Sequence, residues 1–245
     1  MKRLLLISNS TNFGQGYLDH CADEIGTLLS GSRHRVLFVP FADNNWQTYT
    51  QKVRERLGRL GCTVTSAHEG IDASSRKSLI HEADAVFIGG GNTFRLLSAL
   101  YQFDLLLEIR QAVLNGMPYI GSSAGTNVAC PTIKTTNDMP IVYPPSFDAL
   151  GLVPFNINPH YIDPTPDSTH MGETRPKRIA EFQEINDVPV LGLREGAMLL
   201  LNGTQVELKE GTARLFRKAS QPEEFARGSR LDFLCDPCSG TQIAI

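Results

Sequence analysis

The sequence predicts an α/β protein built on a mainly parallel sheet flanked by helices. Three observations carry the prediction. Short aliphatic and β-branched runs alternate with longer amphipathic ones. Several of the short runs end in small-residue or glycine-rich loops. The 245 residues, 41% hydrophobic and 20% charged, also suffice for one sizeable core. One α/β domain is therefore expected over residues 1–245, with 220–245 as a polar extension to which no function is given.

The first apolar run, Leu4-Leu5-Leu6-Ile7, follows Met1-Lys2-Arg3 and stops at Ser8-Asn9-Ser10. It is too short to export the chain or span a bilayer and reads as a buried first strand. Leu18 to Leu29 reads as a helix, and Arg35 to Val39 as the next strand, ended by Pro40. Trp46 to Leu60 has helical period, with Val53, Leu57 and Leu60 on one face. After Thr63-Val64-Thr65 comes a short helical piece around Leu79-Ile80. Ala85-Val86-Phe87-Ile88 is then a β-branched run entering Gly89-Gly90-Gly91-Asn92. Phe94 to Tyr101 and Leu105 to Leu114 are helical, and Pro118-Tyr119-Ile120 leads into Gly121-Ser122-Ser123-Ala124-Gly125.

The second half is less regular. A strand closes at Asn156-Ile157-Asn158-Pro159-His160, a Pro- and Asp-rich loop runs from Asp163 to Asp167, and a helix spans about Arg178 to Ile185. Val188 to Leu193 is another buried strand, ending at Arg194-Glu195-Gly196. Leu199 to Leu208 and Ala213 to Phe216 read as antiparallel strands around the turn Asn202-Gly203.

A net charge of −3 gives no reason to expect nucleic acid or an anionic membrane as partner, so a small molecule is expected. No run approaches transmembrane length, which places the expectation in the cytoplasm. The five cysteines, an odd and scattered set, do not form a disulfide framework. Cys235 and Cys238 have redox-motif spacing but no strand-to-helix context and no second pair for zinc.

Ligands of open α/β sheets bind at the carboxyl ends of strands, so residues just past predicted strands are the candidates. A serine attacks a carbonyl when it is exposed, has a base for its proton and faces donors for the oxyanion. Gly-x-Ser-x-Gly centres Ser123 on a strand-to-helix turn, where small neighbours permit the strain that raises the hydroxyl. The bland alternative is an N-cap serine at a small-residue helix start. The Ala124 N–H is the expected first oxyanion donor, with Gly90 or Gly91 supplying the second. A phosphate loop lacks the required spacing and Gly-Lys ending.

Six histidines compete for the base. His160 alone stands at a strand terminus beside a proline; His20 and His81 fall within helical periods and His34 precedes a strand. No His-x-x-x-His pair suggests a metal, and neither metal nor cofactor is expected. Glu195, after a buried strand, and Asp138, in Thr135-Thr136-Asn137-Asp138, both remain as acids to orient the histidine.

The chain resembles the peptidase E, or α-aspartyl dipeptidase, family from Leu4 to about Gly203. The resemblance rests on Leu-Ile-Ser-Asn-Ser-Thr at 6–11, Phe-Val-Pro-Phe-Ala at 38–42, Gly-Gly-Gly-Asn-Thr-Phe at 89–94, Ser-Ala-Gly at 123–125, Thr-Thr-Asn-Asp-Met-Pro-Ile-Val at 135–142, Ile-Asn-Pro-His at 157–160 and Gly-Glu-Thr-Arg at 172–175. It implies a three-layer fold like that of class I glutamine amidotransferases, itself flavodoxin-like, with serine in place of cysteine. It also implies cofactor-free hydrolysis of dipeptides with an N-terminal L-aspartate; separately from the resemblance, a monomer or homodimer is expected. On this resemblance Ser123 is the nucleophile and His160 the base. Glu195 matches the triad acid and Asp138 an aspartate also given a charge-relay role. Arg175 matches the arginine that binds the aspartyl side chain, which suits a guanidinium's two-pronged grip on a carboxylate, and Asn92 is placed among the substrate-binding residues.

The chain departs from the family where Ser122 replaces a common tryptophan, and in a longer loop between His160 and Arg175. Rival readings are a cyanophycinase-like or other acidic-peptide serine hydrolase, or an inactive binding protein of this fold. An amidotransferase would want cysteine at position 123.

Overall fold

The computed structural model describes residues 1–29, 34–165, 169 and 172–235. Its strands are β1 (Arg3–Ile7), β2 (Arg35–Val39), β3 (Thr63–Ser66), β4 (Ala85–Ile88), β5 (Tyr119–Ser122), β6 (Asn156–Asn158), β7 (Val190–Leu193), β8 (Met198–Asn202), β9 (Gln205–Glu210), β10 (Thr212–Phe216) and β11 (Glu223–Ala226). They form two sheets. Seven strands in the order β3-β2-β4-β5-β1-β8-β9 make the larger, whose first five run parallel and whose last two are antiparallel. Four strands in the order β11-β10-β7-β6 make the smaller.

Alternation along each strand feeds two cores, as the pleat requires. Leu5, Ile7, Val36, Phe38 and Phe87 point to one face, covered by α1 (Ala22–Leu28) and α2 (Trp46–Gly58). Leu4, Leu6, Leu37, Val39, Val86 and Ile88 point to the other, covered by α4 (Thr93–Gln102), α5 (Leu106–Leu114) and α6 (Ala124–Val128) with Ile80 of α3 (Ala73–Glu82). Ile157, Leu191 and Leu215 of the small sheet join this second core. Helix α7 (Arg175–Ile185) seals the far side of the small sheet through Ile179, against Val190 and Phe216.

The structure differs from the sequence reading at four points. The first helix starts at Ala22 rather than Leu18, because Leu18 has φ 57° and breaks the helical path. Helix α7 starts at Arg175, three residues early, where the Thr174 hydroxyl accepts the Lys177 N–H and Pro176 suits the first turn. Only β8 and β9 form the hairpin around Gly203; β10 crosses to the small sheet and pairs with β7 and β11. Residues 220–235 are not a polar extension, since β11 is an edge strand and Leu231 and Leu234 enter the core. Edge strands need little apolar surface, so β11 leaves no hydrophobic signal. His170, Asp167 and Cys238 lie outside the described residues.

Candidate active site

Strand β5 delivers Ser123 into α6 with φ 53° and ψ −107°, a conformation that costs a non-glycine residue about 1–3 kcal/mol. Two hydrogen bonds to the Ile7 carbonyl hold the turn, one from the Ser123 N–H (3.0 Å) and one from the Thr126 hydroxyl (2.7 Å). Glycine is needed at 125 for space, because a Cβ there would collide with the Ile88 carbonyl oxygen. Ser122 points the other way, fully buried, and its hydroxyl has no partner among the described residues.

The Ser123 hydroxyl lies 2.9 Å from His160 Nε2, and His160 Nδ1 lies 3.1 Å from Glu195 Oε1. The two partners come from the small sheet, whereas Ser123 follows a strand of the large one. His160 follows β6 with φ 52° and Glu195 follows β7, which pairs parallel with β6 and so ends on the same side. The end of β1 joins the sheets. Ser8 Oγ accepts the His160 N–H (2.9 Å) and donates to the Leu193 carbonyl (3.0 Å), while Asn9 Oδ1 accepts the Gly196 N–H (2.7 Å). Backbone on both sides of the His160–Glu195 pair is thus fixed to one strand.

Asp138 is placed elsewhere. Its Oδ2 accepts the Thr93 N–H (2.7 Å) and the Thr93 hydroxyl (2.6 Å), capping α4 rather than touching His160. Asn92 also spends its side chain on structure, donating to the Met139 carbonyl (2.8 Å) and accepting the Arg95 N–H (3.0 Å). Neighbouring polar residues brace the base from behind: Asn158 Nδ2 donates to Asn137 Oδ1 (2.8 Å), and Asn137 Nδ2 donates to the Pro159 carbonyl (2.7 Å).

The glycine loop faces the nucleophile. A Cβ on Gly90 would lie 3.1 Å from Ser123 Cβ, and one on Gly91, at φ 132°, would lie 2.5 Å from the Ala42 carbonyl oxygen. The Gly90 N–H donates to the Tyr49 hydroxyl (2.9 Å), which burial keeps from ionising by raising its pKa. Ala124, the first residue of α6, has an N–H without an intrahelical acceptor. A cavity of about 500 Å³ opens here, lined by Ser123, His160, Gly90, Gly91 and residues of α2 and the loops beside it.

Arg175 lines a second cavity of about 480 Å³ with Asn137, Asp163, Glu173 and Arg178. It is not among the residues lining the cavity of Ser123. Burial first, then the Arg178 guanidinium, lowers its pKa, with Asp138 opposing them. Among the described residues no carboxylate stands within ion-pair distance of Arg175, whereas Arg178 meets Glu173 at 3.4 Å. Among them also, no three His, Cys, Asp or Glu side chains converge as a metal site, and no helix is long and apolar enough to cross a membrane.

Sequence reasoning missed Tyr49 and Thr93 as parts of the site, and placed Ser8 at a strand end without its role. Tyr49 sits within a helical period and carries no local signal. Ser8 was visible as a strand-end residue, but its two partners lie more than 150 residues away in sequence.

Comparison with known proteins adds four findings. The profile of Peptidase family S51 matches residues 4–209. The chain is 56% identical over 235 residues to Peptidase E of Streptomyces coelicolor, covering 95% of each chain. It is 48% identical over 236 residues to a Drosophila melanogaster protein named "Probable alpha-aspartyl dipeptidase", covering 95% of this chain and 97% of that one. Among solved structures, a crystal structure described as a peptidase E protein of Listeria monocytogenes superposes with a TM-score of 0.66 at 25% identity, over 85% of this chain and 98% of that one.

Proposed function

Because the chain belongs to peptidase family S51, a family of serine peptidases, we propose that it is a cofactor-free dipeptidase that hydrolyses Asp-Xaa dipeptides through an acyl-enzyme on Ser123. The observation that carries this reading is the chain of contacts Ser123 Oγ, His160 Nε2, His160 Nδ1, Glu195 Oε1, at 2.9 and 3.1 Å. In the reaction His160 Nε2 takes the Ser123 proton as Oγ bonds to the aspartyl carbonyl carbon. Glu195 accepts a hydrogen bond from His160 Nδ1–H and keeps the base in that tautomer. The oxyanion is held by the N–H groups of Ala124 and Gly91, since the Tyr49 hydroxyl occupies that of Gly90.

His160 then gives its proton to the leaving amine, and water completes the cycle by the same route in reverse. Asp138 is not the orienter in this scheme; it caps α4 and faces Arg175 as a neighbouring charge. Arg175, with no carboxylate partner among the described residues, takes the aspartyl side chain, and an asparagine in that place would leave the guanidinium without a counter-charge. The name of the Drosophila relative supports the aspartyl preference. A cytoplasmic setting agrees with the odd, scattered set of cysteines in the sequence.

The test is turnover of Asp-Leu, Glu-Leu and Asn-Leu by the wild type and by Ser123→Ala. The expected outcome is Asp-Leu cleavage that falls by more than about 10⁴-fold in the variant. Undiminished cleavage by Ser123→Ala would remove the serine mechanism, and equal rates on all three dipeptides would remove the aspartyl assignment.

A further inference from the structure

The cavity beside Ser123 extends well past the catalytic residues, and one wall of it is a single helix face. Asn45, Thr48, Tyr49 and Lys52 all line it, spaced three, four and seven residues from Asn45, so the N-terminal two turns of α2 present one face to the cavity. The wall carries two opposite charges. Asp43 stands at its start, its Oδ1 accepting the Asn45 N–H (2.7 Å). Lys52 stands at its far end with Nζ 4.2 Å from the centre of the Tyr17 ring. Among the described residues Lys52 has no carboxylate partner within 4 Å. It is an ammonium held against an aromatic face in the catalytic cavity, with no anion to meet among the described residues.

The glycine loop fixes which end of a substrate faces which charge. Asn92 reaches the Met139 carbonyl, and its N–H donates to the Ala42 carbonyl, so that end of the loop lies beside Asp43 and the segment bearing Asp138. Gly90 is bonded instead to Tyr49, one helical turn before Lys52. Arg175 interacts with Asp138, hence with the Asn92 end. On the dipeptidase reading above, an aspartyl side chain held by Arg175 would put its carbonyl at Gly91 and its leaving residue toward Tyr49, Tyr17 and Lys52.

We propose that Lys52, seated on Tyr17, binds the free carboxylate of the leaving residue and so restricts the enzyme to substrates that end one residue past the scissile bond. This rests on the dipeptidase reading above. Dimensions agree with it. Lys52 lies about 10 Å along the axis from Asn45, its side chain leans back toward the helix N-terminus, and an extended dipeptide spans about 7 Å. Asp43 at the opposite end favours the substrate's ammonium and repels a carboxylate bound the wrong way round. An exposed lysine on an aromatic face gains weak cation–π support, which suits a site that must release its product.

The experiment compares kcat/KM for Asp-Leu with that for Asp-Leu amide and Asp-p-nitroanilide, in wild type, Lys52→Met and Lys52→Arg. Methionine keeps an apolar stem on Tyr17 while removing the charge. The wild type is expected to prefer Asp-Leu over its amide by about tenfold, the range of one exposed ionic contact with a charged ligand. Lys52→Met should bring that ratio close to one, mainly by raising KM for Asp-Leu, and Lys52→Arg should restore most of it. A ratio that survives Lys52→Met, or an equal loss on all three substrates, overturns the subsite while leaving the dipeptidase reading intact. Failure of the wild type to cleave any of the three overturns that reading, and the subsite with it.

Discussion

At the scale of single residues, the site separates what spacing can reveal from what only folding can. Two glycines around Ser123 are a local requirement of a strained turn, so the nucleophile is legible in five letters of sequence. The choice between Glu195 and Asp138 is not, because each is an acid in a polar loop and only the paired ends of β6 and β7 bring Glu195 to His160. The same comparison gives a prediction. Glu195→Gln should lower kcat by about 10²-fold or more, because the amide no longer stabilises the imidazolium formed during attack. Its carboxylate is 65% exposed, so little stability is expected to be lost. Asp138→Asn should do the opposite. It loses the charge at the α4 N-terminus and costs about 1 kcal/mol of stability, with kcat on Asp-p-nitroanilide changed less than in Glu195→Gln. Single-variant kinetics alongside thermal melts would distinguish the two; a larger kcat loss in Asp138→Asn would reverse the assignment.

At the scale of elements, strands and long helices were readable because buried parallel strands are continuous apolar runs and α2 keeps a helical period. What local patterns hid were departures set by distant contacts. Leu18 reads as helical, yet its N–H is held by the Ser10 carbonyl (2.7 Å) and its carbonyl by Arg56, which fixes it outside the helix. The glycine loop shows such a constraint at the site. It passes between Tyr49 of α2 and the Ala42 carbonyl, and a side chain at 91 meets both a positive φ and a backbone atom at 2.5 Å. Gly91→Ala should therefore move the loop rather than be absorbed by it. The expected result is a kcat loss of about 10²-fold, the scale of one missing oxyanion donor, with KM little changed. A variant with wild-type kcat would show that the Gly91 N–H does not serve the oxyanion.

At the scale of the whole molecule, the reacting groups stand on two sheets, so activity depends on how firmly the sheets are joined. Ser8 makes one joint. A charge network then braces the small sheet itself around the His160–Glu195 side. Arg194, the residue before Glu195, donates to both oxygens of Asp163 (2.6 and 3.0 Å) and both of Glu224 (3.0 and 3.1 Å), while Arg214 adds a bond to Asp163 (3.2 Å). It ties the loop after His160 to β7, β10 and the edge strand β11, whose polar sequence concealed its place in the fold. The Arg194 hydrogen bond is the largest influence on Asp163 and holds its carboxyl below the usual aspartate range. A carboxyl whose pKa is lower folded than unfolded stabilises the fold above its unfolded pKa, and that contribution disappears as pH falls through the folded value. At neutral pH, Asp163→Asn should therefore lower Tm by about 2–4 °C, a modest figure because the pair is partly exposed. The gap between wild type and variant should stay constant down to about pH 5 and close as the pH falls below about 4. Urea unfolding of both proteins across that range measures it directly. A gap that persists unchanged at pH 2 would show that Asp163 acts through packing rather than charge, and that the network does not set the acid limit of the small sheet.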